Sequence, residues 1–277
     1  MFHTDIEAIA RELREAQEAG RMVAALPSSR EDFDLDAAYA VEATLRRWRE
    51  ASGHRMVGRK MGYANKAMWR ILKLETLVWA HMYDDTVHQS ERRSDTSFFE
   101  LSLPAARSLK VEPEIVFGLK RTLAPDTADA AAALEAAEWL ALGFEVIDCP
   151  FADWKFQPED FVASYGLHTA LVIGARDEIK PDAVASLVDA LAAFKARTYK
   201  NGEFVEEGSA KNVLRSPALC LAELAKAVSK RTPNEPLAAG EILSTGTITA
   251  GHPAARGDEW KVEVNGLDLP SLTVRIA

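Results

Sequence analysis

The feature that most constrains this chain is a set of three carboxylates embedded in apolar strand sequence. Val111-Glu112-Pro113-Glu114-Ile115-Val116-Phe117 reads as one β-strand and Phe144-Glu145-Val146-Ile147-Asp148 as another. Side chains alternate along a strand that rises roughly 3.3 Å per residue, so Glu112 and Glu114 project from one face about 7 Å apart. They repel each other unless a cation lies between them. Glu145 interrupts an apolar strand, and burying it unpaired costs several kcal/mol or forces it to protonate, so it needs a partner. Pro113 cannot donate to a ladder, which predicts an edge or bulge where side chains reach a cleft. Three carboxylates converging from two strands suit a hard divalent ion such as Mg²⁺, which takes oxygen ligands. Spacing alone leaves a second reading equally open, in which Glu112 and Glu114 point to solvent.

Charge and cysteine usage narrow the class. With 33 basic and 42 acidic side chains the formal net charge is −9 over 277 residues, which argues against a nucleic-acid partner. Cys149 and Cys220 form no Cys-x-x-Cys pair, so neither a disulfide framework nor a thiolate zinc site is expected. The amino end lacks a basic segment followed by an apolar one, and no apolar run approaches the roughly 18 residues that span a bilayer. A cytoplasmic protein without a membrane partner is the expectation.

Local patterns outline the rest. Thr4 and Glu7 form a capping-box pattern for a helix over about 5–19, and a second helix runs from near Asp36 to Ala51, where Gly53 ends it. These two helices define an amino-terminal segment, 1–54, ahead of a second region, 55–277, of mainly strand texture. Met56 to Tyr63, Val78 to Tyr83, Val111 to Leu119, Gly143 to Asp148 and Ala170 to Ile173 read as strands. Ala130 to Leu142, Ala183 to Phe194 and Pro217 to Ser229 read as helices, and further strands are expected near Glu241 to Thr249 and Trp260 to Ile276. Asn201-Gly202 marks a tight hairpin between Tyr199 and Phe204, since both residues tolerate positive φ. The class is α+β. No Gly-x-Gly-x-x-Gly or Walker loop appears, which disfavours a doubly wound nucleotide-binding fold.

Four ordered blocks carry a resemblance. They are Gly58-Arg59-Lys60-Met61-Gly62; Val111 to Ile115; Glu145-Val146-Ile147-Asp148 with Ala152-Asp153-Trp154-Lys155; and Ser244-Thr245-Gly246-Thr247 with Pro253 and Gly257-Asp258. Together they resemble the 2-oxopent-4-enoate hydratase and 4-oxalocrotonate decarboxylase family within the fumarylacetoacetate hydrolase superfamily. The resemblance implies a mixed β-roll with an amino-terminal helical segment, and a homo-oligomer. It also implies a Mg²⁺ or Mn²⁺ site made by Glu112, Glu114 and Glu145, and a small 2-oxo or 2-hydroxy carboxylic acid as substrate, hydrated or decarboxylated through an enolate. Lys60 matches the family's lysine and Asp85 its acid after the next strand, both as catalytic groups. Gly246 and Thr247 match a turn that meets the substrate carboxylate.

The chain also departs from the pattern. Tyr165-Gly166-Leu167-His168-Thr169 stands where hydratases of the family carry an Asn-Ala-Ser element, and Trp79-Ala80-His81 replaces the usual small residue before the acid loop. His168 and His81 are therefore candidate acid-base groups of this chain, or structural histidines. They keep open an acylpyruvate-type hydrolase with a histidine base, and an inactive binding or assembly homologue remains the reading from another class.

Overall fold

The computed structural model describes residues 5–93, 95–103, 107–127 and 129–277. The first half comprises α1 (Ile6–Glu18), α2 (Leu35–Ala51), β1 (Met56–Gly62), α3 (Lys66–Leu72), β2 (Val78–Tyr83), β3 (Val87–Gln89), β4 (Glu91–Arg93), β5 (Thr96–Leu101) and β6 (Leu109–Leu119). Next come α4 (Ala130–Ala136), β7 (Ala137–Asp148), α5 (Pro158–Ala163), β8 (His168–Ile173), β9 (Asp177–Glu178), α6 (Val184–Ala193), β10 (Lys195–Lys200) and β11 (Glu203–Ser209). The chain closes with α7 (Pro217–Arg231), β12 (Ile242–Ser244), β13 (His252–Ala254), β14 (Glu259–Asn265) and β15 (Ser271–Ile276).

The larger sheet curls into a half-barrel of strand order β2-β1-β12-β6-β7-β8-β3, with β13 beside β6 and β9 beside β7. A second sheet, β11-β10-β14-β15-β5-β4, packs beside it. Residues paired across neighbouring strands share a face, and the register puts Lys60, Ser244, Val116, Ala141, Glu112 and Glu145 on one face. Met82, Val116, Trp139, Ala141, Leu171 and Ile173 form a small apolar cluster on that face. The opposite face carries Ile115, Phe117, Phe144 and Val146, which join the main core with residues of α4, α6 and α7. The mixed β-roll expected from the resemblance is this half-barrel.

Close strand packing explains two glycines. A Cβ on Gly58 would lie 1.9 Å from the Ile242 carbonyl oxygen, so β1 approaches β12 only because residue 58 has no side chain. A Cβ on Gly118 would lie 2.2 Å from the Trp139 ring, which occupies that space instead. Both lie on the face that carries the carboxylates.

The structure differs from the sequence reading in three places. The helix expected to reach Leu142 stops at Ala136, and Ala137 opens β7. From Trp139 to Asp148 every residue is buried, so periodicity cannot separate strand from helix there, and pairing with β6 decides it. Pro113 lies inside the sheet rather than at an edge: β6 has β7 on one side and β12 and β13 on the other. Its carbonyl accepts from Ile248 N at 2.9 Å on the side where β12 pairs only Val116 to Gly118 and β13 only Leu109 to Val111. The missing N–H therefore faces a gap between two short strands. Finally, the strand expected over Glu241 to Thr249 shrinks to β12, and Thr245 onward is loop.

At the amino end, Thr4 lies outside the described residues, and Asp5 caps α1 by accepting from Ala8 N at 2.9 Å. Helices α1 and α2 share an apolar cluster with Ile147, Phe151, Phe161 and Leu167. The hairpin turn forms as the sequence implies, with Asn201 at φ 52° and Gly202 at 83°.

Candidate metal centre

Strand pairing builds the site. Glu112 is directly opposite Glu145 in the β6–β7 ladder, and Glu114 follows two residues later on the same face. One carboxylate oxygen from each of the three lies within 4.8 Å of the others. Lys60 reaches them from β1, with Nζ 2.7 Å from Glu145 Oε2. That contact is one of charge: Nζ directs its hydrogen bond to the Gly166 carbonyl at 2.9 Å, and Glu145 Oε2 receives no aligned hydrogen bond.

A β-bulge brings in His168. Val146 pairs with Ala170 and Ile147 with His168, so Thr169 is the extra residue, and His168 is turned onto the face of Ile147 and Glu145. Its Nδ1 is 2.8 Å from Glu145 Oε1, and its Nε2 is 3.0 Å from Thr86 Oγ1. Both ring nitrogens are engaged. Glu114 Oε2 accepts from Ser244 Oγ and, at 2.9 Å, from Gly246 N, while Glu114 Oε1 is buried with no partner.

The surroundings push the three carboxyls in different directions. Burial and then the charge of Glu145 push Glu114 well above the ordinary carboxylate range. Glu112 is pushed up to about 7, mainly by burial, with Lys60 opposing. Burial acts on Glu145 in the same sense, but Lys60 and His168 outweigh it and hold Glu145 below its ordinary value. For Lys60, burial lowers the ammonium while the combined charge of Glu145, Glu112 and Glu114 overrides that and raises it. An orphaned oxygen on Glu114, an unaligned one on Glu145 and two carboxyls held toward protonation form a donor set that fits a hard dication.

A cleft of about 540 Å³ opens onto this cluster. Lys60, Glu112, Gly246 and Thr247 line it, together with Lys110, Asn65, Asn212 and an aromatic wall of Tyr63, Trp154, Phe156 and Phe161. Gly246 takes φ 89° to turn its N–H onto Glu114, and the Thr247 hydroxyl donates to Thr249 O at 3.0 Å. Both thus border the cleft, but their donors are engaged within the protein.

Two sequence candidates lie elsewhere. Asp85 sits in the turn after β2, where its carboxylate pairs with Arg49 and lies 3.5 Å from His54 Nδ1, so the structure does not bring it to Lys60. His81 is opposite Arg59 in the ladder, one residue out of phase with Lys60 and hence on the other face. Its Nδ1 is 2.6 Å from Glu42 Oε1. Sequence reasoning assigned no role to Ser244, although it stands in a quoted block, and none to Thr86 or the Gly166 carbonyl. Only strand register could have found these.

Residues 76–277 match the fumarylacetoacetate (FAA) hydrolase C-terminal family. The chain is 29% identical over 267 residues to 2-hydroxyhexa-2,4-dienoate hydratase of Comamonas testosteroni, covering 96% of each protein. It is 32% identical over 237 residues to 4-oxalocrotonate decarboxylase of Pseudomonas sp. strain CF600, covering 85% of this chain and 84% of that one. The structure of 4-oxalocrotonate decarboxylase from Pseudomonas putida G7, complexed with magnesium and adipate, superposes with a TM-score of 0.86 at 26% identity, covering 100% of this chain and 99% of that one. The half-barrel with its carboxylates and amino-terminal helices, and these full-length similarities, agree: the chain belongs to the 2-oxopent-4-enoate hydratase and 4-oxalocrotonate decarboxylase family of the fumarylacetoacetate hydrolase superfamily.

Proposed function

We propose that this protein is a divalent-metal-dependent lyase, a hydratase or decarboxylase, acting on a short unsaturated 2-oxo or 2-hydroxy carboxylic acid. The observation that carries the proposal is the convergence of Glu112, Glu114 and Glu145 within 4.8 Å, with the buried Lys60 ammonium 2.7 Å from Glu145. Relatives named as hydratases and decarboxylases of such acids point the same way. Glu112, Glu114 and Glu145 would hold the ion, Mg²⁺ or Mn²⁺. When bound, that ion would supply a Lewis acid that polarises the 2-oxo carboxylate of the substrate.

The chain's own residues account for the rest. Lys60 is kept charged by its carboxylate neighbours and kept dry by burial, so it can stabilise developing enolate charge and deliver a proton to carbon. Tyr63, Trp154, Phe156 and Phe161 offer apolar surface to the unsaturated chain of the substrate. In hydration a proton goes to C5 of the dienol as its enol proton leaves, and water then adds at C4 of the resulting 2-oxo-3-enoate; in decarboxylation a vinylogous β-oxo acid loses CO₂ to leave a dienolate, which takes up a proton. His168 holds Glu145 through Nδ1 and Thr86 through Nε2, which suits a positioning role. That arrangement, and His81 on the other face, disfavour hydrolysis with a histidine base.

We also read the protein as a homo-oligomer of the cytoplasm. β11 is an edge strand that exposes Phe204 and Val205, an edge that a second copy would cover. Both cysteines are free and buried, as in a reducing compartment. Among the described residues no helix is long and apolar enough to cross a membrane.

The test of function is a steady-state assay with a 2-hydroxy-dienoate and an acylpyruvate, each with Mg²⁺ and with EDTA. The proposal expects metal-dependent consumption of the dienoate. Cleavage of the acylpyruvate with the dienoate ignored would overturn it in favour of the hydrolase.

A further inference from the structure

Tyr83, the last residue of β2, is 2% exposed, and its hydroxyl has no hydrogen-bond partner. It lines a pocket of about 140 Å³ bordered by α1, α2, the end of β2 and the start of β8. Two more buried donors without partners, Arg14 Nε and Arg49 Nε, belong to residues that line the same pocket. The Arg14 guanidinium lies 4.7 Å from the centre of the Trp48 ring, and that of Arg49 4.5 Å from the centre of the Tyr83 ring. Glu18 also lines the pocket, but its Oε1 is 3.7 Å from Arg14 Nε, beyond hydrogen-bonding distance. On the far side His168 closes the pocket with Nε2 engaged by Thr86, while its Nδ1 holds Glu145.

Three buried donors without an acceptor call for a ligand that accepts. An ionised carboxylate accepts only, and its charge shortens and strengthens the bonds it receives. The arginines are already part-neutralised, Arg49 by Asp85 and Arg14 by Glu18, so hydrogen bonding rather than net charge sets the selectivity. We propose that this pocket binds a small monocarboxylate, held by Tyr83 Oη, Arg49 Nε and Arg14 Nε. The site is separate from the cleft at Glu112, and it stands whether or not the metal reading is correct. His168, which lines the pocket, touches the carboxylate cluster through Glu145.

The test is ligand-observed NMR with [¹³C]acetate on protein stripped of metal and freed of chelator, against matched chloride. Saturable acetate binding is expected, weakened on the order of tenfold in Tyr83→Phe and in Arg14→Met, the scale of one lost hydrogen bond to a charged acceptor. Glu112→Gln should bind acetate as the wild type does. Arg14 lies on a surface helix, so Arg14→Met carries the test if Tyr83→Phe does not fold. Two results would overturn the proposal: no saturable binding, which means that water alone satisfies these donors, or binding abolished by Glu112→Gln and unchanged in Tyr83→Phe or Arg14→Met.

Discussion

Lys60 and Glu145 are 85 residues apart in sequence, yet Nζ lies 2.7 Å from Oε2 with both side chains almost wholly buried. Neither charge is tolerable there alone, and removing one partner of a buried pair typically costs about 3–5 kcal/mol. The pair is the electrostatic hinge of the cluster: Lys60 and His168 hold the Glu145 carboxyl below its ordinary range against burial, and the charges of Glu145, Glu112 and Glu114 raise the Lys60 ammonium above its own.

Metal-free stability should fall as pH rises, while the stability gained from metal should grow. The Glu112 carboxyl is raised to about 7 in the fold, above its ordinary value of 4.5, so its contribution is fully present below pH 4.5 and lost as pH rises through 7. Glu114 is raised in the same direction. Metal-free protein should therefore melt at lower temperature at pH 8 than at pH 6, while the gain from Mg²⁺ should grow over that interval because the ligands must be deprotonated. Melting curves in EDTA and in Mg²⁺ across this range check it. A Mg²⁺ effect that is flat with pH would count against Glu112 as a ligand.

Lys60→Met should cut turnover of a 2-hydroxy-dienoate by on the order of 10² or more, the usual scale for acid-base groups. His168→Asn, which retains a donor toward Glu145, and His81→Asn, on the other face, should be milder. The three variants assayed side by side give the answer. A ranking in which either histidine exceeds Lys60 would reverse the assignment of roles.

The fold makes its own prediction at Gly58. A Cβ there would lie 1.9 Å from the backbone oxygen of Ile242, and backbone cannot step aside as a side chain can. Gly58→Ala should cost at least about 1–3 kcal/mol, the range for overpacking, and loosen β1 from β12, where Lys60 pairs with Ser244. Urea denaturation measures it. Wild-type stability in this variant would show that the β1–β12 contact is not tight.

Several elements can be read in the sequence because they rest on local physics. Val78 to Tyr83 is a strand with the expected limits, Asn201-Gly202 turns the β10–β11 hairpin, and the alternation of Glu112 and Glu114 leads directly to their shared face. What stays hidden depends on pairing between distant residues. Trp139 to Leu142 are apolar on both faces, so only pairing with β6 and β9 makes them strand. Pro113 is tolerated in an interior strand because β12 and β13 leave a gap, which no local pattern announces. Thr169 is an unremarkable threonine until the β7 register makes it the extra residue that aims His168 at Glu145. Asp85 follows β2 as a catalytic acid would, but α2 supplies Arg49 to take its charge.

The most direct test of the central claim is the stoichiometry of Mn²⁺ binding, followed by electron paramagnetic resonance, in the wild type and in Glu114→Gln and Glu145→Gln. Both substitutions keep volume and remove charge, and circular dichroism verifies that each variant is folded. One tight Mn²⁺ per wild-type chain, displaced by Mg²⁺ and weakened at least tenfold in each variant, is the predicted result; on the order of 1.4 kcal/mol corresponds to each factor of ten. Equal Mn²⁺ affinity in the wild type and both variants would contradict the site.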